Sequence, residues 1–282
     1  MQTAQAAETL GFASVWANDH ILVPPSLDPP YGRILECIVA LTFASVVTSR
    51  VQLGTSLLIL PQRSPIVTAK QLATLDVLSG GRLICGVGAG YVEEQFEFLG
   101  APFAQRGAVL DEYIEVLRRL WGTGGGSYAG RWVSYSGALF GPVPERGAAV
   151  PIWIGGNGPA AIRRAARIGD AWHPVGLSPR ELAAGAIALK AAAGGRSVGV
   201  TLKLRAGFGP AGEGPHAQRS PAAAGHRFEL TGPVDHVRRL VDEYAAAGCE
   251  HLVLFLFHRD ADDLRRSMEM FAEEVVRPYQ DG

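Results

Sequence analysis

Apolar residues fall along this chain in two alternating patterns. Short runs, Ala13–Ala17, Val51–Leu60, Leu83–Val87, Ile152–Ile154, Asp170–His173, Val198–Ala206 and His251–Phe257, read as strands. Longer segments between them carry a helical period: Leu110, Ile114, Leu117 and Trp121 share one face, as do Val234, Val237, Val241 and Tyr244. Punctuation supports the reading. Ser64-Pro65 and Ser178-Pro179 each set an N-cap before a proline at the first helical position, and Gly169 and Gly248 stand where helices should stop. With helices over Thr3–Leu10 at the start and Asp262–Val276 at the end, the pattern gives about eight helices and about seven strands, in βα order but beginning on a helix. That order predicts an α/β protein, a (β/α)8 TIM barrel lacking its first β-strand or truncated there.

Two stretches break the alternation. Gly122–Gly130 is rich in glycine, and Gly207–Gly225 is rich in Gly, Pro and Ala. They predict insertion loops at 122–150 and 207–230 within a single domain spanning 1–282. The second would follow a strand on the C-terminal side of the barrel, where a lid and simple disorder are equally good readings.

Composition narrows the field. The 26 basic and 27 acidic residues nearly cancel and do not run in blocks, which points to a small-molecule substrate and away from nucleic acid or an anionic membrane. The longest apolar stretch, Ile34–Val47, is interrupted by Glu36 and is too short to span a bilayer. Cys37, Cys85 and Cys249 lack disulfide or metal-ligand spacing and read as three buried thiols in a reducing compartment. No metal site and a cytoplasmic location are expected.

Four segments offer chemistry. Asp19 and His20 follow a predicted strand, on the barrel rim where catalytic groups collect; a carboxylate beside an imidazole can orient a ring and move a proton near neutral pH. A capped turn beside a rim histidine is the plainer reading, at even odds. Thr55 and Ser56 place hydroxyls inside an otherwise apolar strand, facing either a ligand ring or neighbouring strand backbone. Gly86-Val87-Gly88-Ala89-Gly90 would let backbone approach a ligand, though a tight turn is the commoner explanation, and the spacing is wrong for a dinucleotide fingerprint. Gly155-Gly156-Asn157-Gly158-Pro159 joins flexible donors to a helix N-terminus, a ready phosphate site or a plain βα turn. Arg82 and Arg106 read as loop anchors, and Asp111, Glu112 and Glu115 as a solvated helix face. Trp172-His173-Pro174 reads equally as pocket lining or core.

Taken in order, five segments resemble the bacterial luciferase-like monooxygenase superfamily: Ala7-Glu8-Thr9-Leu10-Gly11-Phe12-Ala13-Ser14-Val15-Trp16-Ala17-Asn18-Asp19-His20 with Leu53-Gly54-Thr55-Ser56; Ala73-Thr74-Leu75-Asp76-Val77-Leu78-Ser79-Gly80-Gly81-Arg82; Gly86-Val87-Gly88-Ala89-Gly90-Tyr91; and Pro151-Ile152-Trp153-Ile154-Gly155-Gly156. The resemblance is strongest to the branch that uses coenzyme F-420, a deazaflavin; FMN-dependent members share many of the motifs. It implies that Asp19 and His20 lie by the cofactor ring, that Thr55, Ser56 and Leu57 form a bulged strand under it with a cis bond between Ser56 and Leu57, and that Gly88, Ala89, Gly90, Tyr91, Gly155, Gly156 and Asn157 hold the cofactor tail and phosphate. His20 would then exchange the proton, with Asp19 orienting ring or imidazole. Sugar-phosphate dehydrogenases of the family carry a tryptophan shortly after the Asp-His pair and a glutamate after the glycine run; Pro24 and Tyr91 stand here, which argues against that activity. The resemblance implies hydride transfer between F-420 and a small organic substrate. The alternatives are an FMN-dependent monooxygenase served by a flavin reductase and a cofactor-binding barrel without turnover. A homodimer is also expected.

Overall fold

A computed structural model describes residues 2–28, 31–209 and 227–280. In chain order the helices are α1 (Gln2–Thr9), α2 (Cys37–Val47), α3 (Pro65–Ser79), α4 (Glu93–Phe98), α5 (Arg106–Thr123), α6 (Pro159–Ile168), α7 (Pro179–Ala192), α8 (Val234–Ala246), α9 (Ala261–Phe271) and α10 (Arg277–Gln280). The strands are β1 (Ser14–Ala17), β2 (Gln52–Thr55), β3 (Leu58–Ile59), β4 (Leu83–Gly88), β5 (Gly125–Ala129), β6 (Ser134–Leu139), β7 (Ile152–Gly155), β8 (Ala171–His173), β9 (Gly199–Phe208), β10 (Leu230–Gly232) and β11 (His251–Leu256). All seven sequence-predicted strands are present, and the chain does enter on a helix. The chain divides into two compact units, one of Val15–Ile152 and one of Met1–Ser14 with Trp153–Gly282.

In the Val15–Ile152 unit, β1, β2 and β4 lie side by side, with β3 also on β4. Every residue of β4 is buried, as in a parallel strand covered on both faces. Leu53 pairs with Leu83 and Leu58 with Val87, so the β2–β3 run gains one residue on β4 between them: a bulge at Ser56-Leu57. That peptide bond is cis. Helix α3 begins at Ser64, whose hydroxyl accepts from Val67 N, and ends on Gly80 in the left-handed region. The four apolar positions of α5 singled out by period are all buried, and the Trp121 indole donates to Ala69 O at 3.0 Å.

Three expectations are corrected here. The glycine-rich stretch is not an open loop: β5 and β6 pair as an antiparallel hairpin with an irregularity between Gly126 and Tyr128. Its turn is held by Glu112, whose carboxylate accepts from Arg131 N, Trp132 N and Val133 N, so Glu112 does not belong to a solvated face. Cys249 is half-buried, unlike the buried Cys37 and Cys85. Arg82 is an anchor as expected, donating to Ser79 O, Thr48 Oγ1 and the carbonyls of Val51, Ser45 and Thr48.

In the other unit β7, β8 and β9 run parallel, and β9 carries β11 along residues 201–206 and β10 along 206–208. Successive strand side chains point to opposite faces. Val200, Leu202, Leu204 and Ala206 therefore form one buried apolar face of β9, and Thr201, Lys203 and Arg205 the other. The predicted stop at Gly169 and the capping box of Ser178 with Glu181 are both present. The expected insertion at 207–230 begins inside β9 and ends at β10; its residues 210–226 lie outside the described residues. Among the described residues no helix is long and apolar enough to cross a membrane.

Candidate active site

The β2–β3 bulge is fastened to the end of β1 by Asp19. Ser56 N donates to Ala17 O at 2.8 Å, and two residues further along Asp19 Oδ2 accepts from Ile59 N at 2.9 Å. The same carboxylate takes Arg63: Nη2 donates to Oδ1 at 2.5 Å and Nε to Oδ2 at 3.2 Å. Arg63 also reaches Glu36 Oε1 at 2.9 Å. Asp19 is 2% exposed at its side chain and Arg63 11%, so this is a buried, two-point ion pair, with Arg63 set among the acidic groups Asp19 and Glu36 and the thiol Cys37. Burial opposes the Arg63 charge, but its hydrogen bond to Asp19 and the negative charges around it win, leaving its pKa above the ordinary value. Burial, and then the Asp19 charge, push the Cys37 thiol far above its usual range, so it stays protonated. Arg63 and Glu36 were not singled out from sequence; Glu36 registered only as a break in an apolar run.

His20 stands next to this pair. Its Nδ1 lies 2.9 Å from Gln95 Nε2, and its ring lies 4.4 Å from the ring of Tyr31 at a tilt of 36°. Gln95, on α4, is 3% exposed and is a further residue that sequence reading missed.

Thr55 and Ser56 are buried in the bulge. The Thr55 hydroxyl donates to Gly86 O at 2.8 Å, which is the backbone alternative foreseen for it; toward a ligand it retains only acceptor capacity. Two glycines of the β4 run are explained by protein neighbours. A Cβ on Gly86 would come 2.1 Å from Thr55 O, and one on Gly90 would meet Ile59 and Phe96 below 3.0 Å. Gly88 faces Leu57. Ala89 is half-buried, Tyr91 is 45% exposed, and Arg106 donates to Gly90 O at 3.1 Å, the anchoring role its sequence position predicted.

The structure thus brings Asp19, His20, Thr55, Ser56, Leu57 and the Gly88–Tyr91 run together in one unit, and places Gly155, Gly156 and Asn157 in the other. There the Asn157 amide exchanges two hydrogen bonds with Val175, at 2.8 and 2.9 Å, and Gly156 O accepts from the Trp172 indole at 2.8 Å. These bonds leave the start of α6 exposed. Among the described residues no side chain caps it, and its first turn carries no acidic residue. Its dipole favours an anionic group, although Pro159 carries no N–H and Ala161 N and Ile162 N donate to Gly158 O. Trp172 and His173 are both fully buried. His173 Nδ1 bonds Thr201 Oγ1 at 2.7 Å, and Trp153 packs against both His173 and His251. Burial, then the nearby Lys203 and His251, pull the His173 pKa down to about 3. Burial, then Arg227, lowers Lys203 to about 8.

The profile of the luciferase-like monooxygenase family matches residues 1–211. An uncharacterized protein of Mycobacterium tuberculosis (strain ATCC 25618 / H37Rv) is 31% identical over 97% of this chain and 93% of its own length. An F420-dependent glucose-6-phosphate dehydrogenase of Amycolatopsis mediterranei is 33% identical over 60% of this chain and 51% of its own. Among solved structures, monooxygenase RslO1 from Streptomyces bottropensis superposes with a TM-score of 0.85 at 21% identity, covering 99% of this chain and 92% of that one. An F420-dependent secondary alcohol dehydrogenase in complex with an F420-acetone adduct gives 0.80 at 19%, covering 98% and 93%. At these identities the structural likeness concerns the fold alone, and it bears out the expected luciferase-type α/β barrel class.

Proposed function

This chain belongs to the luciferase-like monooxygenase family, and from that premise we propose that it is an oxidoreductase passing hydride between coenzyme F-420 and a small organic substrate. One observation carries the reading: Asp19, locked by Arg63 and Ile59 N, fixes the exit of β1 so that the next residue, His20, is held beside the bulge with a defined hydrogen-bond partner. The similar F420-dependent dehydrogenases support the choice of cofactor.

The residues present fit such a group. In the Val15–Ile152 unit the buried Thr55 and Ser56 with the half-buried Leu57 suit a flat ring, and in the other unit the uncapped start of α6, with Gly155, Gly156 and Asn157 before it, suits a phosphate. Gly88, Ala89, Gly90 and Tyr91 are assigned to the rest of the cofactor. When bound, a deazaflavin supplies a ring carbon that accepts or gives hydride. His20 handles the accompanying proton: it takes the hydroxyl proton when an alcohol is oxidised and returns one when an electron-poor acceptor is reduced. The Asp19 oxygens are engaged by Arg63 and Ile59 N, so its part is to fix where His20 stands. Pro24 and Tyr91, where sugar-phosphate dehydrogenases have tryptophan and glutamate, direct the substrate search to other alcohols and acceptors. Membership of a luciferase-like monooxygenase family supports a second reading, reduced FMN with oxygen and a partner reductase. A small-molecule substrate, a cytoplasmic setting and a homodimer complete the proposal.

Titration with F-420 and, separately, FMN tests it, followed by ring absorbance. Tight F-420 binding, with turnover that falls by roughly 100-fold or more in His20→Ala while binding persists, is the expected result. Preference for FMN with oxygen uptake selects the second reading, and binding of neither overturns both.

A further inference from the structure

Asp19 and Glu36 flank one loop, whose described residues are 20–28 and 31–35, and a single guanidinium reaches both of them. Arg63 Nη2 donates to Asp19 Oδ1 at 2.5 Å and lies 2.9 Å from Glu36 Oε1, while its Nε donates to Asp19 Oδ2 at 3.2 Å. Loops whose ends are drawn together in this way are compact and packed by their own side chains. The described residues behave so: Pro24 and Leu27 are buried, and Gly32 lies so close to Asp28 that a Cβ there would stand 2.7 Å from Asp28 Cγ. The loop opens on His20 and carries Tyr31 back onto it, with ring centroids 4.4 Å apart. Glu36 divides its two oxygens between two tasks. Oε2 accepts from Val39 N at 2.7 Å, the cap that starts α2, and Oε1 faces Arg63, with the Cys37 thiol 3.8 Å away.

We propose that Glu36 is a positioning residue: through Arg63 it holds the far end of this loop beside Asp19 and so keeps Tyr31 on the His20 ring. The proposal rests on the reading of His20 as the proton-handling group. Asp19 itself is held without Glu36, because Ile59 N and Arg63 Nε also bind it. What Glu36 adds is the second end of the loop. A carboxylate suits that place, since each oxygen meets a donor of its own and the charge faces a guanidinium. Aspartate or serine would cap α2 as well as glutamate does, because both are preferred N-caps, but neither is long enough to keep the contact with Arg63. The cap and the link to Arg63 are therefore separable by substitution.

The experiment compares wild type, Glu36→Asp and Glu36→Ser in the full chain. NMR of the histidine ring protons reads the loop directly, with the His20 signals identified by their loss in His20→Gln. In the wild type the Tyr31 ring current displaces these signals; in E36D and E36S they move toward the position they take in Tyr31→Leu. Arg33 is exposed, and trypsin cleavage after it, read as the 1–33 fragment, speeds up roughly tenfold in both variants as the loop opens locally. Both keep the helical content of the wild type, as a retained cap requires. With F-420 and a panel of simple alkanols, kcat falls roughly three- to tenfold while KM changes by less than about twofold, the pattern of a misplaced group. Ring signals and cleavage rates that match the wild type in both variants overturn the proposal, since capping alone then accounts for Glu36. If His20→Gln retains full turnover, the reading of His20 falls instead, and ring signals and cleavage still decide whether Glu36 closes the loop.

Discussion

At the scale of single residues, Arg63 is the one whose removal should be felt most. Arg63→Met keeps the stem but leaves the Asp19 carboxylate buried with only Ile59 N and the weak Cys37 thiol as described donors. Breaking one side of a buried pair costs about 3–5 kcal/mol. Urea unfolding of R63M should show that loss, and R63M combined with Asp19→Asn should regain much of it, because the stranded charge is gone; equal midpoints for the single and double variants would refute this account. His173 makes a prediction of opposite origin. Its pKa is lowered to about 3 by burial from an ordinary 6.5, so the folded state binds fewer protons than the unfolded chain between those values. Its contribution is complete above pH 6.5 and drains away as pH falls toward 3, at about 1.4 kcal/mol per unit at most. His173→Gln should flatten the loss of urea stability between pH 7 and pH 5; parallel pH profiles would refute it. How legible such residues are depends on what defines them. Asp19 and His20 show in sequence because they follow a strand, a local fact. Arg63 and Gln95 acquire their chemistry from partners far along the chain, 75 positions away for Gln95 and His20, and Glu36, although it caps α2 locally through Val39 N, meets Arg63 only across the fold; single-sequence patterns do not carry that information. Gln95 left a faint trace as an amide inside the acidic run Glu93-Glu94-Gln95.

At the scale of elements, the start of α6 separates helix stability from ligand binding. Gly158 occupies its N-cap with φ −88° and ψ 166°, extended backbone open to any residue, and a Cβ there meets nothing within 4 Å. Gly158→Asp should therefore supply a side-chain cap and stabilise the protein by roughly a few tenths of a kcal/mol in urea unfolding. The same carboxylate would occupy and repel at the site assigned to the phosphate, so F-420 affinity should fall at least roughly tenfold while stability rises. A gain in stability with unchanged affinity would remove α6 from the binding site. Elements with strong local signals were readable: apolar runs became strands, and Ser-Pro and Gly marked helix ends where the structure has them. The β5–β6 hairpin was not, because Gly125-Gly126 and small polar residues give it little apolar alternation and it is mostly exposed. Short β10 was missed for a related reason, since three residues are too few to show a period. The bulge at Ser56-Leu57 could be anticipated only from the family resemblance; no local pattern distinguishes Val51–Leu60 from one continuous strand.

At the scale of the whole molecule, the proposed homodimer makes predictions that follow from charge and surface. The 26 basic and 27 acidic residues leave a formal charge of −1, so two copies meet with little net repulsion. Leu35, Val39, Phe43 and Val46 recur at helical spacing on one face of α2 and just before it, and are 76%, 65%, 53% and 78% exposed, with Val67 of α3 also 55% exposed. A contiguous apolar stripe of this kind is unusual on a monomer surface and suits a two-fold contact in which the same face serves both partners. A contact made this way is driven by removing apolar area from water, so raising the salt concentration should leave it intact or strengthen it, whereas an ionic contact would weaken. Sedimentation velocity of the wild type at low and high salt should therefore report a dimer in both. Phe43→Glu places a charge in the middle of the stripe, and in a two-fold contact it does so once from each partner, so the variant should sediment as a monomer with the helical content of the wild type. Wild-type protein that already sediments as a monomer at micromolar concentration would remove the dimer and leave the stripe without this explanation.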